Sequence, residues 1–458
     1  MFAQLICGNI IVYFEEFAAN LGGLEKEPVV LMRNSKSSAE QKGTAVSIER
    51  NGKLLHFAQY HNPASFRQYC HLAGALQGQG KYEEAQSAWY KAVELDPENI
   101  NIRIDFGISL AETDDIEGAL EQFEAAVKLD QTNLDANYLL GMAHFHLEHF
   151  DLALKYWKRC LADKTGQLED ETGLRICLAE AYRALGRPHK AIFQLNNILE
   201  RNPADIDAHN LLGMILLEIG ENAFAIDILK RAVTCNPDFY RSHLNLGVVY
   251  FNCGAIDFSI HEFKKACQCN PKDADSFYNL GRALTIKGEL QQACQALEKS
   301  LELSPSQLDC LDFLGNLELL RGDFQAAQGH FSKLLADDPN NIEALCSIAE
   351  AEHRQYNYQE AEEYLQQAYK LAPENPLVHY SLALLYRDQS KKLDKAAKHM
   401  RKAVDLQQNN PEYQLLYGDI LAQTDKESKA KEAWEKAIEL DPSLADDVRS
   451  RLKKIDKT

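Results

Sequence analysis

The chain has 458 residues and a formal net charge of −19, from 49 basic and 68 acidic residues. Nucleic-acid binding needs a basic stripe, and no Lys/Arg cluster with interleaved aromatic residues occurs, so the composition argues against a nucleic-acid partner. A single core rarely extends beyond about 250–300 residues, so a chain of this length either divides into several cores or extends one core by repetition.

Residues 1–65 form an N-terminal segment with three distinct patterns. The apolar stretch MFAQLICGNIIVYFEEFAANL has no basic start, is interrupted by Glu15 and Glu16, and is too short to span a bilayer. We expect it to form a helix docked on the following helices, with a weak membrane-surface anchor as the alternative. Residues 33–43 have a linker composition. Asn51–Gly52 lies between alternating apolar runs, which predicts a small β-hairpin.

Beyond this segment, a small residue recurs every 34 residues, except for one step of 38 and one of 35. A period of this length indicates stacked copies of one helical hairpin. The eleven positions are Ala85, Ala119, Ala153, Ala191, Ala225, Ser259, Ala293, Ala327, Ala361, Ala396 and Ala430.

Each copy also repeats residues with a defined physical role. Glycines such as Gly213 and Gly247 allow two helices to approach closely, where a larger side chain would force them apart. Prolines close most copies because proline cannot continue a helical hydrogen-bond ladder. They are Pro97, Pro203, Pro237, Pro271, Pro305, Pro339, Pro373 and Pro442.

This pattern closely resembles the tetratricopeptide repeat family over residues 66–442. The resemblance implies an all-α fold, a right-handed α-solenoid of about eleven helical hairpins after a short non-repeat N-terminal segment. Two copies depart from the pattern, because extra residues follow Ala153 and precede Ala396. Residues 443–458 fit a C-terminal capping helix, in which Val448 and Leu452 cover the last repeat while Arg449 and Arg451 face water.

The sequence predicts no enzyme, cofactor or metal site. It has no phosphate-binding glycine loop, no nucleophile elbow and no zinc-ligand spacing among its eleven cysteines. His144, His146 and His149 lie at spacings that do not converge on one helix face, so we expect core and surface histidines. Reduced cysteines favour a cytoplasmic location.

The resemblance implies a ligand groove on the concave face formed by the first helix of each hairpin. In the early and middle repeats the implied groove positions are apolar: Ile104, Ile108, Tyr138, Met142, Phe145, Ile176, Met214, Leu217, Leu244, Val248 and Phe251. In the later repeats they are mainly acidic or polar, interrupted by Leu319 and partly offset by Arg282 and Arg387: Asp275, Asp309, Asp312, Asn316, Glu343 and Glu350.

We interpret the apolar stripe as an anchor site for an extended or helical peptide, and the acidic half as a site for a basic tail. The alternative is that the stripe is buried by the array or by the N-terminal segment. Cys70 and Gly74 stand where some family members place residues that clamp a C-terminal carboxylate, so ligands with acidic tails are not expected.

The predicted function is therefore a non-enzymatic scaffold or adaptor that binds a protein or peptide in the groove. The alternative is a regulatory or substrate-presenting subunit of an enzyme complex, similar to the arrays of protein glycosyltransferases. Those arrays carry a ladder of asparagines, whereas here only Asn245 and Asn279 hold consecutive equivalent places. The sequence argues against a membrane partner and is compatible with self-association.

Overall fold

The computed structural model describes residues 65–162, 170–389 and 392–455, together with the backbone of two strands near the N-terminus. The strands, β1 (Ala45–Arg50) and β2 (Lys53–Ala58), pair antiparallel with Arg50 opposite Lys53, at the place where the sequence predicts a hairpin. The predicted docking helix, the membrane-anchor alternative and the linker at 33–43 all lie outside the described residues.

The chain divides into two compact units, one ending at Ile215 and the other beginning at Leu216. Unit 1 contains the two strands and four helical hairpins, followed by most of a ninth helix. Its helices are α1 (Phe66–Gln77), α2 (Tyr82–Leu95), α3 (Ile100–Ala111), α4 (Ile116–Leu129), α5 (Leu134–His146), α6 (Phe150–Leu161), α7 (Glu171–Ala184), α8 (Pro188–Arg201) and α9 (Ile206–Glu218).

Unit 2 continues the same alternation and ends with an additional helix. Its helices are α10 (Asn222–Cys235), α11 (Tyr240–Asn252), α12 (Ile256–Cys269), α13 (Ala274–Lys287), α14 (Leu290–Leu303), α15 (Leu308–Arg321), α16 (Phe324–Asp337), α17 (Ile342–Arg354), α18 (Tyr358–Leu371), α19 (Pro376–Asp388), α20 (Leu393–Leu406), α21 (Pro411–Gln423), α22 (Glu427–Leu440) and α23 (Ala445–Ile455). A short 3-10 helix (Pro442–Leu444) precedes α23. The odd-numbered helices up to α21 are the first helices of their hairpins, and the even-numbered helices are the second.

The predicted all-α array of eleven hairpins is confirmed. All eleven recurring small residues, from Ala85 to Ala430, are completely buried. Each lies in a second helix, near its N-terminal end. The period therefore marks the positions where a second helix packs into the core.

Within a hairpin, glycine in the first helix makes room for a large side chain of the second. A Cβ atom at Gly247 would lie only 2.6 Å from the ring of Phe263, and one at Gly315 would lie 2.7 Å from Phe331. The prolines predicted to end the second helices lie two residues beyond them, as Pro237 does after α10 and Pro373 after α18.

The last helix, α23, covers the end of the array. Val448 is completely buried in an apolar cluster with Leu421 and Trp434, and Leu452 packs against that cluster. Arg451 does not face water as predicted, because its Nε donates to Asp419 Oδ1 of α21 at 2.7 Å. This ion pair fixes the capping helix to the last hairpin.

Candidate functional site

In unit 2, the first helices form the face on which the sequence predicts a groove. First helices of successive hairpins contact one another directly, as α11 does with α13, α15 with α17, and α17 with α19. Side chains three, four and seven residues apart share one side of each helix, so they combine with those of the neighbouring helices into a single surface. We call this surface the first-helix face.

The N-terminal part of the first-helix face is apolar and aromatic. Leu244, Val248 and Phe251 of α11 are partly exposed and pack against a core cluster that includes residues of α12, α13 and α15. Of the other predicted apolar positions, Met214 in unit 1 and Leu217 in unit 2 are also partly exposed.

Arg282 of α13 does not offset the acidic residues in the predicted manner. Its guanidinium lies 4.9 Å from the ring centroid of Phe251 and 5.5 Å from that of Tyr278, within the range of cation–π contacts. Arg387, the second predicted basic residue, pairs with its neighbour Asp388 at 2.7 Å. In the described part of unit 2, neither arginine forms an ion pair with a predicted acidic groove residue.

Three of the predicted acidic residues, Asp309, Asp312 and Glu343, lie near one another on this face. Burial raises the pKa of Asp312 in α15, and the charges of Glu343 and Asp309 raise it further. Burial also raises the pKa of Asp275 in α13, which accepts a hydrogen bond from Gln307 Nε2 at 3.0 Å. The surroundings of Asp275 and Asp312 therefore disfavour the negatively charged form of each carboxyl group.

Most of this acidic cluster has no cation of its own. Within residues 65–162, 170–389 and 392–455, no basic side chain forms an ion pair with Asp275, Asp309, Asp312 or Glu343, whereas Glu350 binds Arg354 at 3.2 Å. A bound cation would therefore weaken the repulsion among these carboxylates, which no basic side chain of the described residues offsets.

Aromatic side chains that the sequence pattern did not indicate lie near these carboxylates. The Tyr278 ring contacts Phe313 edge-on at 6.3 Å. Burial raises the pKa of Tyr278, and the charges of Asp309 and Asp312 raise it further. Tyr380 of α19 stacks on Tyr413 of α21 at 5.0 Å. Tyr278 lies four residues before the predicted Arg282, and Tyr380 lies seven residues before the predicted Arg387. These spacings place each pair on the same side of its helix, and they could have indicated both tyrosines.

A cavity of about 380 Å³ opens between α17 and α19. Its wall includes apolar and aromatic side chains together with charged groups that are already paired. Arg354 pairs with Glu350, and Asp388 binds both Arg387 and, at 3.1 Å, His353 Nε2. The lining includes Glu350, His353, Arg354, Tyr356, Tyr380 and Arg387.

The apolar stripe predicted in unit 1 is not an open surface. Tyr138, Met142 and Phe145 of α5 are buried, and so are Ile104 and Ile176, while Ile108 is partly exposed. The Phe145 ring packs against Phe150 at 5.1 Å and Trp157 at 5.7 Å, and the Tyr138 hydroxyl lies 3.8 Å from Cys177 Sγ of α7. At these five residues the side chains are part of the core of unit 1.

The remaining predicted features have simple placements. His144 is buried, His146 partly buried and His149 exposed, and no metal-binding group of His, Cys, Asp or Glu occurs among the described residues. The Asn279 amide donates to the Asp275 carbonyl in its own helix at 2.9 Å, so it is engaged locally. Of the helices described, none is long and apolar enough to cross a membrane.

Comparison with solved structures gives several distant likenesses. The "APC/C hetero-tetramer Cut9-Hcn1" structure is 16% identical, with 84% of this chain and 90% of that chain covered and a TM-score of 0.41. Yeast Tom70 is 14% identical, with coverages of 86% and 95% and a TM-score of 0.40. A tetratricopeptide repeat protein from Parabacteroides merdae is 15% identical, with coverages of 56% and 100% and a TM-score of 0.48.

Comparison with curated proteins gives no match. Sequence models of protein families do match. Models described as "Tetratricopeptide repeat" match residues 67–99, 104–165, 178–238, 352–420 and 411–444. The model of the "Cytochrome c-type biogenesis protein H TPR domain" matches residues 263–376. The matched stretches reach into every one of the eleven hairpins.

Proposed function

The chain belongs to the tetratricopeptide repeat family, whose arrays are protein-interaction scaffolds, and we propose that this one binds an extended, basic segment of a partner protein along the first-helix face of unit 2. The observation that carries the proposal is the group of carboxylates around the partly buried Asp312, with which no basic side chain of the described residues forms an ion pair. A partner arginine or lysine would supply the missing charge.

The aromatic side chains around these carboxylates support arginine in particular. Arg282 already lies over Phe251 and Tyr278, so this surface accommodates a guanidinium stacked on rings. One hairpin further along, Asn316 stands at the position equivalent to Arg282, on the same helix as Phe313, and its side chain hydrogen-bonds with Asp312. A partner guanidinium there would combine ring stacking with charge-assisted hydrogen bonds to Asp309 or Asp312.

Two peptides of twelve residues test the proposal, one with four arginines and one with glutamate at the same four places. We expect the arginine peptide to bind and its affinity to fall as salt rises, because exposed charges are screened over about 8 Å at physiological ionic strength. Asp309→Asn/Asp312→Asn should weaken binding by about tenfold, equivalent to roughly 1.4 kcal/mol. Fluorescence anisotropy measures both effects.

Glu360→Gln/Glu363→Gln is the matched control, because it removes the same charge from exposed residues of the second helix α18. It should leave the affinity within about twofold, since a remote rim charge contributes little. Equal binding of the two peptides, or equal losses in the two double variants, would contradict the proposal.

We place this scaffold in the cytosol. Ten cysteines of the described residues are free thiols, including Cys235 and Cys253 on the surface. Exposed thiols of this kind are expected to persist in a reducing compartment.

A further inference from the structure

Tyr356 stands where the four preceding hairpins have glycine. The residue lies in the turn between α17 and α18, and the equivalent residues recur at steps of 34. All four glycines have positive φ angles, between 72° and 85°: Gly220, Gly254, Gly288 and Gly322. The turn between the first and second helix therefore requires a left-handed backbone in each of these hairpins.

Tyr356 adopts the same conformation, with φ at 66°, although a large side chain disfavours it. The surrounding turn imposes the conformation through backbone hydrogen bonds. The Tyr356 amide donates to the His353 carbonyl at 3.0 Å, and the Asn357 amide donates to the Glu352 carbonyl at 2.9 Å. The chain thus retains a tyrosine at a position where glycine would relieve backbone strain.

Burial does not offset this strain. The Tyr356 side chain is 77% exposed, and its ring contacts only the edge of Tyr358 among the aromatic rings described, at 6.3 Å between centroids. The Tyr356 side chain also lines the cavity between α17 and α19. Backbone strain held without a packing benefit is characteristic of binding sites.

We propose that Tyr356 binds a large apolar side chain of the partner at the outer end of the α17–α19 cavity. This inference rests on the proposed function and adds a second point of contact to it. The partner side chain is uncharged because the arginines of the cavity are already paired with Glu350 and Asp388. Tyr356, Tyr358 and Tyr380 supply the ring surface that it contacts.

The spacing between the two contacts defines the partner segment. Glu343, at the acidic cluster, and His353, in the cavity wall, are ten residues apart on α17. At 1.5 Å per residue this distance is about 15 Å, which an extended chain spans in four to five residues. The partner is therefore expected to carry basic residues and, four to five positions away, a large apolar residue.

Labelled peptides with two arginines, the spacer Gly-Ser-Gly-Ser and then leucine, phenylalanine or alanine test this inference. We expect wild-type protein to bind the leucine or phenylalanine peptide at least fivefold more tightly than the alanine peptide. Tyr356→Gly should abolish this preference and yet raise the midpoint of thermal unfolding, because glycine removes the strain. Tyr356→Asn, which also tolerates a left-handed backbone, should abolish the preference too, whereas Tyr356→Phe should retain it.

Glu148→Gly is the matched control, since Glu148 holds the equivalent left-handed position in unit 1, with φ at 59°. It should raise the unfolding midpoint and leave peptide preference unchanged. An apolar preference that survives in Tyr356→Gly, or that wild type lacks, would overturn the inference. Salt-sensitive binding of the alanine peptide separates the two proposals, because it reports the acidic cluster alone; if no peptide binds, both are wrong.

Discussion

A Cβ atom added at Gly247 would lie 2.6 Å from the Phe263 ring, whereas nothing lies within 4 Å of one added at Gly329. Both glycines are within helices, Gly247 in the first helix α11 and Gly329 in the second helix α16. Substitution of Gly247 therefore tests the lack of space for a side chain, whereas substitution of Gly329 tests the backbone entropy of glycine in a helix.

We therefore expect opposite effects on stability at these two sites. Gly247→Leu should destabilise the protein by about 1 to 3 kcal/mol, because the Phe263 ring must move. Gly329→Ala should stabilise it by about 0.5 to 1 kcal/mol, because alanine loses less backbone entropy in a helix. Chemical denaturation measures both. If Gly247→Leu left the stability unchanged, the Phe263 ring would not be packed against Gly247 as it is in the structure.

At the scale of elements, two hairpins use the same histidine position in different ways. In the α11–α12 hairpin, His243 Nε2 lies 2.9 Å from the Pro237 carbonyl and Nδ1 lies 2.7 Å from Glu262 Oε2. The hydrogen bond with Glu262 raises the pKa of His243. Its stabilising contribution is therefore complete at low pH and is lost as pH rises through the folded-state pKa.

In the α19–α20 hairpin, a second histidine replaces the carboxylate. His379 Nε2 lies 2.9 Å from the Pro373 carbonyl, but Nδ1 faces His399 Nδ1 at 2.9 Å. Burial lowers the pKa of His399 to about 4, and the charges of His379, Lys398 and Lys395 add to the effect. Tyr369 of α18 and Tyr386 of α19 contribute only ring contacts to His399: Tyr369 edge-on and Tyr386 tilted.

This pair should make the last hairpins sensitive to acid. The unfolded-state pKa of histidine is about 6.5, so the unfolded chain takes up a proton first as pH falls, and stability is lost between about pH 6.5 and 4. His399→Glu recreates the pair of the α11–α12 hairpin and should remove a loss of about 2 kcal/mol at pH 5. Denaturant unfolding at pH 7.5 and 5 measures this.

The matched control is His261→Glu, the same change at an exposed position of the second helix α12. It should leave the acid sensitivity as in wild type. If His399→Glu unfolds at pH 5 as readily as wild type, the two histidines do not carry the acid response.

At the scale of the whole molecule, the substantial helix contacts join neighbours in the sequence. From α1 to α8 in unit 1 and from α10 to α23 in unit 2, each helix packs on the next, and in unit 2 some first helices also contact the first helix of an adjacent hairpin. A chain of this kind transmits a local perturbation to the adjoining repeats more strongly than to distant ones.

Phe145→Ala tests this locality and the burial of the unit 1 stripe together. Loss of the contacts with Phe150 and Trp157 should cost about 3 to 5 kcal/mol locally. Hydrogen exchange should become faster in α5 and α6 and in the adjoining α4 and α7, while α19 to α22 retain wild-type protection. Equal acceleration throughout would show that the array unfolds as one cooperative unit, and no acceleration would show that Phe145 is not core.

The sequence by itself determined the repeat, because the residues that form the contacts within each hairpin recur at a fixed spacing along the chain. Small residues such as Ala225 and Ala293 mark the buried positions of second helices, and glycines such as Gly247 mark the close approach of the first. Helix periodicity and proline positions are local properties, so they were readable without the tertiary structure.

Only the tertiary structure decided which first-helix positions are open. Met142 and Val248 were predicted as equivalent groove residues, yet Met142 is buried and Val248 partly exposed. Arg282 lies over Phe251, 31 residues earlier in the chain, and Tyr138 meets Cys177, 39 residues later. The physical reason is that exposure depends on side chains from neighbouring hairpins, which the periodic pattern brings together without specifying how they pack.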